Sequence, residues 1–445
     1  MEELEQPPTV RTSTNSLVSA GLWSLGVRGA GILISLAVGI VLARHLGPEQ
    51  LGSYGVVIAL VMLVSVVAQV GLPTLAVREI SVANEYLQFP LLRGALFAFG
   101  GVVASLSCGL AAVLIVIVLV YPVLFGSDAN IYILAAPLIP FYALTSLIAA
   151  EIRGLGGLVV GQSFDTLVRP TIFLALAVGL STFAAFDSRL AILLSGVAAA
   201  ITLIIGIIFL TRALPPDIHC QRSEFNLPSW KKAAVPLALI DYLGQIDGSY
   251  GILLVGILAS DRSAGYFRLA FSMALFLAAP IAILHMIMAP TLARLSAAGD
   301  HRQTQKALSV SSATMFALMA FTYVIIAAEG RLAITLVFGA QYSDAWSTLM
   351  LLSLGYLISA FFGVGGILLG MSGGERQLTR ALAISVTVSI IAAVPLGVTF
   401  GAEGVATASA LGVAIQNLII WRWLKRERQL DCSAMAILAG LGRLD

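Results

Sequence analysis

Charge is what this chain has least of. Asp, Glu, Lys and Arg make up 11% of its 445 residues, against about 25% in an ordinary soluble domain. So few charges cannot clothe a water-facing surface, which excludes a soluble enzyme. The net charge of +2 gives no electrostatic footprint for nucleic acid, so no nucleic-acid partner is expected. Cysteine is almost missing. Cys108, Cys220 and Cys432 lie far apart, which excludes a disulfide framework and any metal-ligand spacing. The glycine-rich stretches 154–161 and 370–377 lack the lysine and hydroxyl of a phosphate-binding loop, so nucleotide is not expected to drive this protein. No nucleophile–base set appears, and no catalytic residue or cofactor is assigned. Long polar segments are missing too. The largest break covers only 213–232, too little for an extramembrane domain. The opening MEELEQPPTVRTSTN has no basic start, so it reads as a retained tail rather than a cleaved signal.

What is abundant is apolar length. Hydrophobic residues reach 59% and mean hydropathy is +0.98. Apolar runs predict about twelve helices, at 17–43, 52–77, 94–121, 130–150, 165–184, 190–211, 233–258, 263–289, 308–328, 344–369, 379–400 and 403–423. Each suffices for a hydrocarbon core of about 30 Å. Nineteen Lys and Arg fall in segments on the N-terminal side and four in those opposite, by count along the sequence. That bias places both termini in the cytoplasm. Landmarks then repeat. Pro73-Thr74-Leu75-Ala76 returns as Pro290-Thr291-Leu292-Ala293, Phe125-Gly126 as Phe338-Gly339, and Gly52 with Tyr54 as Gly265 and Tyr266. Duplicated bundles are a transporter architecture. The expected organisation is a cytoplasmic tail (1–16), a six-helix bundle (17–212), a linker (213–232), a second six-helix bundle (233–424) and a cytoplasmic tail (425–445). The fold class is thus all-α and polytopic.

The segments VLARHLGPEQLGSYGVVIAL (41–60) and VGLPTLAVREIS (70–81) resemble the start of bacterial polysaccharide flippases, in the O-antigen and exopolysaccharide branch. Arg44, Gly47, Pro48, Gly52, Tyr54, Gly71, Pro73, Arg78 and Glu79 carry that resemblance. PTLARLSAAGDHRQTQKAL (290–308), LVFGAQYSDAWSTLMLLSL and FGAEGVATASALG (400–412) are similar to later family segments. The superfamily also contains multidrug-and-toxin extrusion (MATE) pumps and the lipid II flippase. The resemblance implies a MATE-like pair of bundles, a central cavity and alternating access. It implies a sugar repeat unit on polyprenyl pyrophosphate as substrate, with a polysaccharide polymerase and glycosyltransferases as pathway partners. The rival readings are a multidrug or cation exporter of the same fold, and a membrane polymerase or ligase of polyprenyl-linked sugars. The latter lacks the large outer loop such chemistry uses.

Charges inside spans are the candidate site. Arg28 lies eleven residues into the first span, about 16 Å, where an unpaired charge is costly. Ser24, Arg28, Gly31 and Ser35 share one helical stripe. A guanidinium fork there suits pyrophosphate; the alternative is an ion pair with Asp247 or Asp241. Arg268, in span eight, either binds substrate or reaches the outer interface. Span seven is the most polar. Asp241, Gln245 and Gly248 share a stripe, and Asp247 and Tyr250 lie about a third of a turn away. Asp247 is a candidate for proton coupling, for sodium binding with Gln245, or for neutralising Arg28, so coupling to H+, Na+ or an anion gradient stays open. Gln245 and Tyr250 are candidates for hydrogen bonds to sugar hydroxyls. His285 reads as an interhelical contact. Glu151 and Arg153 read as solvated, and Asp165 with Arg169 as an i, i+4 pair on a helix surface.

Overall fold

A computed structural model describes residues 14–437, apart from 124, 126–128, 182–185, 217, 219 and 220. The outer parts of both expected tails, together with Gly126 and Cys220, lie outside the described residues. Helix is the dominant element and no strand occurs among the described residues. Lipid explains this, because a backbone without water must satisfy its own polar groups.

The order is α1 (Thr14–Gln69), α2 (Leu72–Glu85), α3 (Phe89–Val120), α4 (Ala129–Ala135), α5 (Leu138–Gly154) and α6 (Leu158–Ser163). A π-helical turn, Phe164–Val168, leads into α7 (Arg169–Ser181). Then come α8 (Ser188–Ala213), α9 (Leu227–Leu258), α10 (Asp261–Leu277), α11 (Ala279–Ala298), α12 (His301–Val337), α13 (Ala345–Phe362), α14 (Gly365–Met371) and α15 (Glu375–Glu427). Nine stretches among the described residues are long and apolar enough to cross a membrane. Two of them each hold two rods. The first turns back at Gly47 (φ 73°, ψ 171°), with Pro48 opening the second arm. The other turns at Gly401 (φ 58°, ψ −130°). Only glycine adopts such angles without strain. With these separated the nine stretches hold eleven rods; the 32-residue α9 and the 17-residue α10 are helices outside that count.

The rod built from α6, the π turn and α7 corrects one boundary. It begins at Leu158, because Gly156 (φ 94°) and Gly157 form the preceding turn. Apolar length alone predicts this span from 165, with Arg169 near its start. Arg169 instead stands eleven residues inside, about 16 Å from Leu158.

Small residues bring the two halves together. Gly52 lies against the Asp261 carbonyl and Gly265, and Gly265 against the Pro48 carbonyl, with no room for a Cβ at either. The repeat copies Gly52 and Gly265 therefore meet each other. At this Gly47 end, Tyr342 donates to the Ala43 carbonyl (3.0 Å), and Arg44 donates to the carbonyls of Val337 (2.8 Å) and Leu336 (3.0 Å). Towards the other end, here called the tail end, α1 kinks at Val70 and Gly71, both with positive φ. Gly71 fits closely on the backbone of Ala238 in α9. Tyr242 donates to the Val67 carbonyl (3.0 Å) and Thr74 to Asp241 (3.1 Å). The seam between α1–α2 and α9 is thus shut along its length. The seam between α1 and α11 is not: α1 packs densely on α10 but scarcely touches α11. Of the nine apolar stretches, α11 is the least covered.

After α15 the chain does not trail away. Leu430, Cys432, Ser433 and Ala434 are buried. Gln305 of α12 exchanges two hydrogen bonds with the Asp431 backbone, Ser312 donates to the Cys432 carbonyl, and the Ala434 N–H donates to Phe361. This strap ties α12, α13 and α15 at the tail end. Burial pushes the Asp431 carboxyl up. Hydrogen bonds from the Ser433 N–H and hydroxyl and from Trp421, with the Lys425 charge at 3.5 Å, outweigh burial and hold it below the usual carboxylate range.

Candidate functional site

The first arm of α1 is exposed on two faces. Trp23, Gly26, Ala30 and Leu33 make an apolar one, with Trp23 at 70% and Leu33 at 60% exposure. Arg28 and Ser35, seven residues apart and so nearly superposed, make a polar one on about the opposite side. A rod in a bilayer shows its apolar face to lipid. The polar face, on the opposite side, is the one that suits water. Beside Arg28 on the same stripe, Ser24 and Gly31 are buried against the α6–α7 rod. Ser24 donates to Gln162 (2.5 Å), and a Cβ on Gly31 would stand 2.7 Å from the Thr166 carbonyl oxygen.

Arg28 is nineteen residues from Gly47, about 28 Å along the helix, which is nearer the tail end than the sequence spacing implied. No carboxylate among the described residues pairs with it. The ion pair with Asp247 or Asp241 is not formed in this conformation. Asp241 instead accepts from Thr74 in the closed α2–α9 seam. Asp247 is exposed and has no ion pair among the described residues, with Tyr250 and Tyr356 as its electrostatic neighbours. Gln245 donates to Ser249 one turn on (2.7 Å), and buried Tyr250 shares a 2.7 Å hydrogen bond with Ser409 of α15.

Arg268 turns inward. Its guanidinium lies 4.7 Å over the Tyr54 ring, and its stem passes Gly55, where a Cβ would stand 2.7 Å from Arg268 Cδ. Tyr54 is fixed by a 3.0 Å hydrogen bond with Ser195 of α8. A cation of the second half is thereby held on an aromatic face of the first. No carboxylate pairs with it among the described residues.

Sequence reasoning missed one charge of this interior. Arg169 stacks 4.4 Å over Tyr142 of α5 and pairs with Asp165 at 3.3 Å. The i, i+4 pair is as expected, but it lies within the rod that faces Ser24 and Gly31 of α1. The signal was Gly156-Gly157, which starts the span early enough to enclose Arg169. Glu151 is a correction of another kind. It is 3% exposed, not solvated, because α5 packs on α2, α3 and α8 there. The Arg153 Nε is likewise buried, with no hydrogen-bond partner among the described residues. His285 lies beside the Gly363 backbone, its Nε2 buried without a hydrogen-bond partner among the described residues. No cluster of metal-ligating side chains occurs among the described residues.

Comparison with known proteins follows this geometry. Residues 41–347 match the family described as polysaccharide biosynthesis protein. No curated protein sequence matches the chain. Among solved structures, an inward-facing MATE multidrug resistance transporter of the MOP superfamily superposes with a TM-score of 0.72 at 14% identity, over 96% of this chain and 100% of that one. Lipid II flippase MurJ, in an inward closed conformation, gives 0.65 at 14% identity, over 92% and 87%. An outward-facing MATE multidrug resistance transporter gives 0.57 at 13%, over 95% and 97%. These likenesses show a shared MATE-like fold.

Proposed function

We propose, for a chain that belongs to the polysaccharide biosynthesis protein family, the work of a flippase for polyprenyl-pyrophosphate-linked oligosaccharide. The substrate moves from the cytoplasmic to the outer leaflet of the inner membrane by alternating access. The tail end is cytoplasmic, and the conformation described is the inward-facing one. Its support is the shut Gly47 end, the parted α1–α11 seam, and the better superposition on the inward-facing transporter than on the outward-facing one.

One observation carries the reading: an exposed arginine, without an ion pair among the described residues, on the side of its helix opposite the exposed apolar face. Arg28 meets the pyrophosphate as it enters, through charge-assisted hydrogen bonds. Arg268 offers a second cation across the interface. Gln245 lines the sugar path, while Ser24 holds the Arg28 helix on the α6–α7 rod. Asp247, exposed and without an ion pair among the described residues, is the group free to take a coupling ion. The polyprenyl tail stays in lipid and leaves by the parted seam, so the apolar part never crosses the polar interior. The experiment is export of surface polysaccharide in cells carrying Arg28→Ala and Arg28→Lys. Loss of export at normal membrane abundance, with partial rescue by lysine, is expected. Normal export with Arg28→Ala refutes the anchoring role.

A further inference from the structure

The π-helical turn at Phe164–Val168 has a local cause. Residue 170 is proline, so the Thr166 carbonyl loses the N–H it would receive in an α-helix. The Arg169 N–H reaches back to Phe164, five residues away. The freed Thr166 carbonyl lies against Gly31, which has no Cβ to block it. Such bulges recur at functional sites because they re-aim the side chains that follow. Here they aim Arg169.

Arg169 is twelve residues from Ser181 and eleven from Leu158, so it stands in the middle of its rod. Its guanidinium has five N–H donors. Its one ion pair is with a single Asp165 oxygen at 3.3 Å, and one face is covered by Tyr142. Among the described residues it makes no further hydrogen bond. Asp165 keeps 41% of its side chain exposed and Arg169 19%. Gln162, Asp165 and Arg169 share one helix face, and on it Gln162 accepts from Ser24 of α1, so the exposed part of the pair lies on the side of the rod turned towards α1. Tyr142 is also within electrostatic reach of Tyr54 and Arg268. Two arginines, one from each half, therefore flank one pair of phenol rings, and only one of them has a carboxylate.

We propose that Arg169 is a second pyrophosphate ligand, held ready by Asp165 and released to the substrate when a phosphoryl oxygen replaces that carboxylate. The proposal rests on the flippase reading and deepens it. Arg28 is the station nearer the tail end, and Arg169 with Arg268 is the next one inward. Asp165 sets the balance, since it competes with the ligand for the same fork. No covalent step is involved.

The test uses the full-length protein in nanodiscs and equilibrium dialysis with labelled farnesyl pyrophosphate, with inorganic pyrophosphate in a parallel arm. Arg169→Gln is expected to weaken farnesyl pyrophosphate binding about ten-fold or more, the loss of a charge-assisted hydrogen bond. Arg169→Lys should recover part of it. Asp165→Asn is expected to act in the opposite direction and tighten binding several-fold, because the competitor is gone. A structural ion pair predicts otherwise: both variants lower the unfolding temperature and neither moves affinity, or both weaken it alike. Either result overturns the proposal, as does unchanged affinity in Arg169→Gln. Binding of inorganic pyrophosphate alone overturns it too, since the ligand would then not be a lipid headgroup. Export that depends on Arg28 but tolerates Arg169→Gln, with unchanged affinity, removes this second station and leaves the flippase reading standing.

Discussion

Gly52→Val is the sharpest perturbation of the conformational cycle. The Gly52 Cα rests on the Asp261 carbonyl and the Gly265 backbone. Those are main-chain atoms of a packed helix, and no rotamer change moves them away. A side chain inserted there costs about 1–3 kcal/mol by the measure of overpacked cores. The penalty falls only on the state in which the Gly47 end is shut; once the halves part there, the valine faces open space. A differential cost of that size shifts the equilibrium between the two states by roughly 5–150-fold. Spin labels at Gln50 and Arg262, both exposed, report the distance across this end. The expected outcome is growth of a long-distance population in Gly52→Val, with a fall in polysaccharide export. Gly101→Val is the control, since nothing lies within 4 Å of its Cβ position. An unchanged distance distribution in Gly52→Val would show that backbone contact at Gly52 and Gly265 does not hold this end shut.

Three further outcomes are expected. Tyr342→Phe removes a buried hydroxyl that donates to the Ala43 carbonyl, and should lower stability by about 1 kcal/mol while biasing the spin-label distances as Gly52→Val does; a thermal scan and the same labels check both. The Asp431 carboxyl is held below the ordinary range, so the stability it lends the strap is complete above about pH 4 and is lost as pH falls through its lower folded value; the protection of residues 428–434 against hydrogen exchange, taken relative to the intrinsic rate at each pH, should be high at neutral pH and fall in acid, whereas Asp431→Ala should be poorly protected throughout. A topology reporter fused after Lys232 should read cytoplasm and one at Asp187 or Asp261 the opposite side, and the reverse pattern would invert the assignment of the two ends.

Most of the rods were legible because their cause is local. Apolar length follows from the bilayer, and the Gly47-Pro48 turn follows from which residues accept positive φ. The repeated Gly52 and Gly265 were legible as landmarks, but their mutual contact was not, since it depends on how the halves dock. Arg28 was legible as a charge out of place. Its lipid-facing and water-facing sides became distinguishable only once neighbours covered Ser24 and Gly31. Arg169 was missed because Gly161, Gln162 and Ser163 resemble a loop in composition. In the fold, Gln162 accepts from Ser24 of another rod, and its polarity is consumed there. Glu151 looked solvated because it lies near a helix end, and only tertiary packing buries it. The strap had no periodicity to read, as Gln305, Ser312 and Phe361, which hold it, are far away in sequence.

The unequal seams give the bundle a front and a back. One side, where α9 meets α1 and α2, is sewn by hydrogen bonds and close backbone contacts; the other, between α1 and α11, is parted. On the flippase reading, a cargo with a membrane-bound tail arrives at the parted side. An enzyme that finishes such a lipid and hands it on gains nothing by docking at the back. Rotation of the bundle about its own axis, which a soluble cargo would never notice, becomes part of the delivery problem.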